Sequence, residues 1–279
     1  MSMMPRSHRE GMTIVELLVA MVVAAVILQA GVSLFIGQSQ LVGETESQRS
    51  ARYISRTGAD VFMADLRRVE TGLGVVSASA SKVDLLVPFA LGIVCTSTSA
   101  ATTLSLLPTD SVRLAGATTD GFAAYARRSS SGAYAGYKAV TDFKPGSASD
   151  CTGASVTVFE AQYARLVEPG LGSVAAGTPA LLYDRISYEF KDEGDGLFLF
   201  RTVNGEPEEA LVGPFDPDNT AFRFYAAGSA TSSASPPGNL QDVRGLELVL
   251  QGLGTRPEEA TGEVSKAPLT TSVFFKNTP

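Results

Sequence analysis

Between Leu17 and Phe35 the sequence has no charged residue, and Gly37 carries the apolar run further. About 20 residues at about 1.5 Å each cover a hydrocarbon core of about 30 Å, so this segment can cross a membrane as one helix. Arg6, His8 and Arg9 precede it, and the first charges beyond it are Glu44 and Glu46. Positive charge stays on the cytoplasmic side, which predicts one span, N-terminus in, with the long C-terminal part outside the cytoplasm. One carboxylate, Glu16, sits inside the first turns. An ionised carboxylate at the centre of a spanning helix costs about 2.5–3.5 kcal/mol on insertion scales, so Glu16 needs a partner.

Three readings compete for this segment. A secretory signal peptide also joins a basic start to an apolar run, but it conflicts with Glu16 and with Leu28 at position −3 of a cut after Ala30. A plain anchor accommodates Glu16 if its side chain reaches back to the cytoplasmic interface. The third reading rests on Gly11-Met12-Thr13-Ile14-Val15-Glu16-Leu17-Leu18, which resembles the class III leader of type IV prepilins. That resemblance implies cleavage after Gly11 by a membrane aspartyl prepilin peptidase and methylation of the new amine at Met12. Phenylalanine is the commoner residue there, so Met12 departs mildly from the pattern. Glu16 is the fifth residue of the mature chain, as in that family. The resemblance makes Glu16 an assembly determinant: with helices stacked at an axial stagger, its carboxylate meets the amine of a neighbouring subunit.

The 279 residues, 44% of them hydrophobic, suffice for one core outside the membrane. Removing Arg6, Arg9 and Glu10 with the leader changes the formal charge from −7 to −8. An acidic chain does not point to nucleic acid, and the doublets Arg67-Arg68 and Arg127-Arg128 read as solvated faces. The only cysteines, Cys95 and Cys151, both fall in the part placed outside the cytoplasm, where paired thiols are the rule; a disulfide is expected, with two separate buried thiols as the alternative. The single histidine, His8, lies in the leader. The mature chain therefore has no imidazole for a Ser-His or Cys-His pair or a histidine metal ligand. No enzyme, cofactor or metal is expected. Carboxylate-only chemistry such as glycoside hydrolysis remains compatible with the composition. Glu208-Glu209 and Glu258-Glu259, however, read as loop charge.

Beyond the span, Leu41, Gln48, Tyr53, Ile54, Thr57, Val61, Ala64 and Arg68 recur near helical spacing. They predict a helix from about Thr13 to about Val69, its second half packed on a sheet through that stripe. Major pilins often carry a proline where this chain has Ser33; Gly31 and Gly37 are the expected flexible points instead. After Gly74 the pattern turns to short β-type runs: Val83–Phe89, then Ser111–Leu114, Gly121–Ala126, Ala133–Val140, Ser155–Glu160 and Gln162–Val167. Thr96–Thr103 reads as a Ser/Thr/Ala stretch, and Ser129–Gly132 and Gly146–Gly153 as loops. Arg185–Lys191 and Leu197–Val203 predict a hairpin, and Asn204-Gly205 a tight turn into Ala210–Val212. Ala221–Tyr225, Val243–Leu250 and Leu269–Lys276 complete an antiparallel set, with Ala227–Asn239 as a flexible loop. Asp192–Gly196 has part of a calcium-loop composition but lacks the ligand ladder, so it reads as a hairpin turn.

The expected fold is α+β and pilin-like. Residues 1–11 form the leader, 12–38 the transmembrane or filament-core half of the helix, 39–70 its amphipathic half, and 71–279 an extracytoplasmic β-rich head. Ala64-Asp65-Leu66-Arg67-Arg68, Tyr188-Glu189-Phe190 and Leu199-Phe200-Arg201 further resemble segments of PilW-type minor pilins and J-type pseudopilins. The resemblance implies an inner-membrane subunit that passes into a pilus, with roles in adhesion and twitching motility. Its implied partners are the prepilin peptidase, other minor and major pilins and a tip adhesin. Leu17, Leu18, Val19, Val22, Val23, Val26, Ile27 and Leu34 would pack against neighbouring helices. The alternatives are a type II secretion pseudopilin and, from another class, a membrane-anchored binding or enzymatic domain.

Overall fold

Thr13 starts the helix. Its backbone is extended (φ −77°, ψ 150°), its hydroxyl accepts from the Glu16 N–H, and the Glu16 carboxylate accepts from the Thr13 N–H, a reciprocal capping box. From there α1 runs unbroken over Ile14–Leu66, 53 residues, or about 80 Å at 1.5 Å per residue. Gly31 and Gly37 lie inside it as regular helix. The computed structural model describes residues 13–110, 119–124, 135–152, 163–257 and 262–275.

The buried stripe of α1 is not the predicted one. Ser47, Ala51, Ile54, Ser55, Gly58, Ala59, Phe62, Asp65 and Leu66 face the sheet. Of the predicted set only Ile54 is fully buried, and Tyr53 points outward at 70% exposure. The cause is close approach. A Cβ on Gly252 would lie 2.2 Å from the Ala51 carbonyl oxygen, and one on Gly254 2.1 Å from Ser47 Oγ. Only small side chains fit where a helix comes this near a strand. Ser55 fills the gap with polar contacts, accepting from Gly252 N–H at 2.9 Å and donating to Ala267 O at 2.8 Å. Ser47 donates to Arg256 O at 3.1 Å.

The described strands are β1 (Val75–Ala78), β2 (Lys82–Ser97), β3 (Thr102–Leu106), β4 (Gly121–Ala124), β5 (Ala135–Ala139), β6 (Asp142–Pro145), β7 (Ala164–Glu168), β8 (Pro179–Asp192), β9 (Leu197–Val203), β10 (Glu209–Phe215), β11 (Ala221–Ala226), β12 (Val243–Pro257) and β13 (Val264–Phe274). A short helix, α2 (Ala148–Thr152), lies between β6 and β7. Among the described residues the strands form one sheet in the order β11-β12-β10-β9-β8-β2-β3-β7-β6. In addition β13 lies on β12, β1 on β2, and the β4–β5 pair on β8. Every pairing is antiparallel. The α+β layout, a long N-terminal helix followed by an antiparallel β domain, agrees with the sequence reading.

The central pair β2–β8 runs from Lys82 opposite Glu189 to Ile93 opposite Pro179, and it joins two cores. Near the helix, Ile54, Phe62 and Leu66 pack on Tyr188, Phe190, Phe215, Phe222 and Leu250. Phe62 meets Tyr188 edge-on at 5.1 Å between centroids, and Phe222 lies 5.3 Å from Phe62 and 4.8 Å from Phe190. Farther from the helix, Val94, Leu104, Leu106, Phe122, Val167 and Leu182 form a second core. Beside it Cys95 of β2 and Cys151 of α2 form a disulfide with Cα atoms 4.9 Å apart.

Several strands extend past their predicted limits because a neighbour continues to pair. Val83–Phe89 is the first half of β2, which turns at Thr98–Ala101 into β3, placing strand in what reads as a Ser/Thr/Ala stretch. The sequence reading also misses β1, β6 and α2. The expected flexible loop at Ala227–Asn239 is tied to the sheet: Phe224 bridges to Ser233, and Arg223 donates to Ser232 O at 3.2 Å. The predicted strands Ser111–Leu114 and Ser155–Glu160 lie outside the described residues.

Asp65 joins the end of α1 to the sheet. Its carboxylate, 6% exposed, accepts from Tyr188 OH at 2.8 Å, from Arg201 at 2.9 Å and from Arg68. Burial, then the charge of and hydrogen bond to Asp65, push the Tyr188 phenol well above its ordinary range, so it stays a donor. Burial alone would lower the Arg201 guanidinium, but Tyr188 and Asp65 hold it above its usual value.

Two expectations follow for the full chain in detergent. Asp65→Asn leaves Arg201 without its counter-charge and is expected to destabilise by about 3–5 kcal/mol, against about 1–2 kcal/mol for Tyr188→Phe; chemical denaturation measures both. Gly252→Ala forces the helix off β12 and is expected to destabilise by about 1–3 kcal/mol. Gly238→Ala, with nothing within 4 Å of the added carbon, should leave the melting temperature unchanged.

Candidate functional site

The first turn of α1 settles the geometry of Glu16. Thr13 N–H donates to Glu16 Oε2 at 3.1 Å and the Thr13 hydroxyl to the same oxygen at 3.2 Å. Both bonds end on one oxygen, so Oε1 has no partner among the described residues. The cap satisfies a backbone donor at the helix start and fixes the carboxylate against the first turn. Among the described residues Glu16 has no cationic partner.

Behind Glu16 the helix is bare. From Ile14 to Val42 the large apolar side chains are all exposed, Ile14 at 82% and Phe35 at 72%. Leu17, Leu18, Val19, Val22, Val23, Val26, Ile27 and Leu34, the residues predicted to pack on neighbouring helices, are each more than half exposed. A shallow groove runs along Val15, Glu16, Val19, Ala20, Val23, Ala24 and Ile27. Ala20 and Ala24 keep its floor low, the kind of surface that lets a second helix backbone come close in an apolar medium. This exposed apolar surface exceeds the few hundred Å² that soluble monomers leave uncovered. By length and composition α1 can cross a membrane.

Gly11 and Met12, the predicted cleavage site and new N-terminus, lie outside the described residues. Glu16 stands at the head of the bare stem. Cys95 and Cys151 form a separate small buried cluster with Ala164 in the β domain and do not belong to this site. Of the arginine doublets read as solvated, Arg68 instead pairs with Asp65, whereas Arg127-Arg128 falls outside the described residues. Asp192–Gly196 closes the β8–β9 hairpin: Asp192 accepts from Gly194 N–H at 2.8 Å, and Gly194 and Gly196 take positive φ. Among the described residues no three His, Cys, Asp or Glu side chains gather as metal ligands. Sequence reasoning missed the capping role of Glu16, although Thr13-Ile14-Val15-Glu16 has the Thr-x-x-Glu spacing that signals it.

Asp65, Tyr188 and Arg201, from the end of the predicted helix and the two strands of the predicted hairpin, converge on one buried contact that the sequence reading does not identify. They hold the stem to the head.

Residues 6–28 match a family model described as the prokaryotic N-terminal methylation motif. No curated protein matches the chain. No solved structure matches it either. The motif match spans Gly11, Met12, Glu16 and the first half of the bare stem, and it supports a prepilin-like protein.

Proposed function

We propose that the chain is a pilin-like subunit, cleaved after Gly11, methylated at Met12 and assembled through α1. More narrowly, it is a PilW-type minor pilin, held as a single-pass inner-membrane protein and then placed in the priming or tip complex of a type IV pilus. Its activity is assembly, not catalysis. The observation that carries this reading is the bare stem from Ile14 to Val42, with a half-used carboxylate in its first turn.

In lipid the stem is solvated by acyl chains. On leaving lipid it must be covered by other apolar helices, since water would oppose exposing so much apolar surface. Glu16 adds direction to that packing. Cleavage frees the Met12 amine, and methylation leaves it a cation at neutral pH. Oε1 of a neighbour's Glu16 is the acceptor available to it, while Oε2 remains in the cap. A charge pair in so apolar a setting is strong enough to discourage other registers. The extracytoplasmic head then presents its surface to other minor pilins or an adhesin.

Glu16→Gln is the informative variant, because glutamine can still close the cap but brings no charge. Cleavage at Gly11–Met12 should persist, while incorporation into filaments falls about tenfold or more, the effect of losing about 1.4 kcal/mol. Unchanged incorporation, or an uncut Gly11–Met12 bond in cells with active prepilin peptidase, overturns the assembly reading. A deletion strain should lose piliation and keep exoprotein release. The reverse pattern overturns the minor-pilin assignment in favour of a secretion pseudopilin.

A further inference from the structure

The face of α1 turned away from the sheet carries a regular series. Glu46, Arg49, Tyr53, Arg56 and Asp60 recur at steps of three, four, three and four residues, which aligns them along the helix. All five are exposed. Pairs within the helix are within reach, Glu46 with Arg49 and Arg56 with Asp60. Among the described residues, however, none of the five side chains makes a hydrogen bond or ion pair. The line is continuous with the bare stem below it.

The order of groups along the line is acidic, basic, aromatic, basic, acidic. A parallel copy in exact register would set each group against its own kind, Arg49 on Arg49 and Arg56 on Arg56. A shift of one place, three to four residues or about 5 Å, reverses this. Arg49 then meets Glu46, Asp60 meets Arg56, and Tyr53 and Arg56 meet Arg49 and Tyr53 of the other copy. That gives two ion pairs and two cation–π contacts. A shift of two places returns Arg56 to Arg49.

We propose that this face is a register seam for a second copy of this chain, lying parallel and shifted by one place. The inference rests on the assembly reading, because four residues also separate Glu16 from Met12. The sequence step from Met12 to Glu16 is thus of the same size as the shift that brings the seam into charge complementarity. Exposed pairs of this kind add specificity more than affinity; the bare stem supplies the attraction and the seam selects the offset.

The test uses the full chain in cells that assemble it. Copies carrying Glu46→Cys and copies carrying Arg49→Cys are expressed together, oxidised and resolved without reductant. The mixed sample should give a covalent dimer at about five times the yield of either variant alone. Adding Arg56→Glu to both copies should lower that yield about fivefold, and adding Asp60→Arg as well should restore it, a rescue that a folding defect would not show. Equal dimer from single-variant samples, absence of dimer in the mixed sample, or adducts only with a different protein each overturn the seam. Cleavage at Gly11–Met12 and filament incorporation are followed in the same cells. If both persist while the mixed dimer fails, the seam is wrong and the assembly reading stands; if both fail, the assembly reading falls and the seam with it.

Discussion

Half of α1 packs against nothing among the described residues, so the other half holds the helix to the sheet. This constraint shapes the domain. The anchored part spans Ser47 to Leu66, about five and a half turns. Within it the helix approaches β12 so closely that glycine is needed at 252 and 254 and serine or alanine at 47, 51 and 55. Close approach brings helix and strand backbones within reach of one hydroxyl, and Ser55 joins them. Toward the end of the helix the contact changes character, and the aromatic rings around Phe62 fill a wider gap. Asp65 then fixes rotation and depth together, because three donors converge on it: Arg68 just past the end of α1, Tyr188 of β8 and Arg201 of β9.

Charge is used in two ways along the same helix. Asp65 is buried and fully engaged, so it belongs to the fold. On the outer face Arg49, Arg56 and Asp60 are open to water and contribute nothing to the fold through ion pairs among the described residues. Glu16 stands between these cases, with one oxygen in a cap and the other open. A fold needs only the first use. Groups of the second kind are the ones the proposed assembly would use.

Legibility followed the range of the chemistry. Local signals were readable: the apolar run, the start of the helix at Thr13, and the Asn204-Gly205 turn, where Asn204 has φ 50° and Gly205 φ 76°. The bounds of β9, Leu197–Val203, are legible because the turns on both sides, Asp192–Gly196 and Asn204-Gly205, are complete in the sequence. The helix stripe was misread because close packing selects Ser, Ala and Gly, which apolar periodicity ignores. The second core was hard to read because β3 pairs with β7 some 60 residues onward, as Thr102 does with Val167, and no short window contains both partners. At the candidate site Glu16 stood out at once, since a carboxylate in an apolar run is anomalous. The five-residue line on the outer helix face is not legible in the sequence, where Tyr53 falls in the stripe predicted to pack on the sheet; in the fold it is exposed with Glu46, Arg49, Arg56 and Asp60.

Apolar helices alone define their mutual offset poorly. A stem rich in Leu, Val and Ala offers similar contacts at many axial positions, and in lipid the tails compete on nearly equal terms with a neighbouring helix. Charges break that degeneracy because their energy changes sign with position. In the proposed assembly a single pair at Glu16 fixes one point, yet a long helix pinned at one end can still rotate or splay at the other. A second set of charges about 30 residues along, near 45 Å at 1.5 Å each, supplies the other point. For the proposed assembly the two offsets have to be compatible, and the sequence spacings are close: four residues from Met12 to Glu16 and three from Glu46 to Arg49.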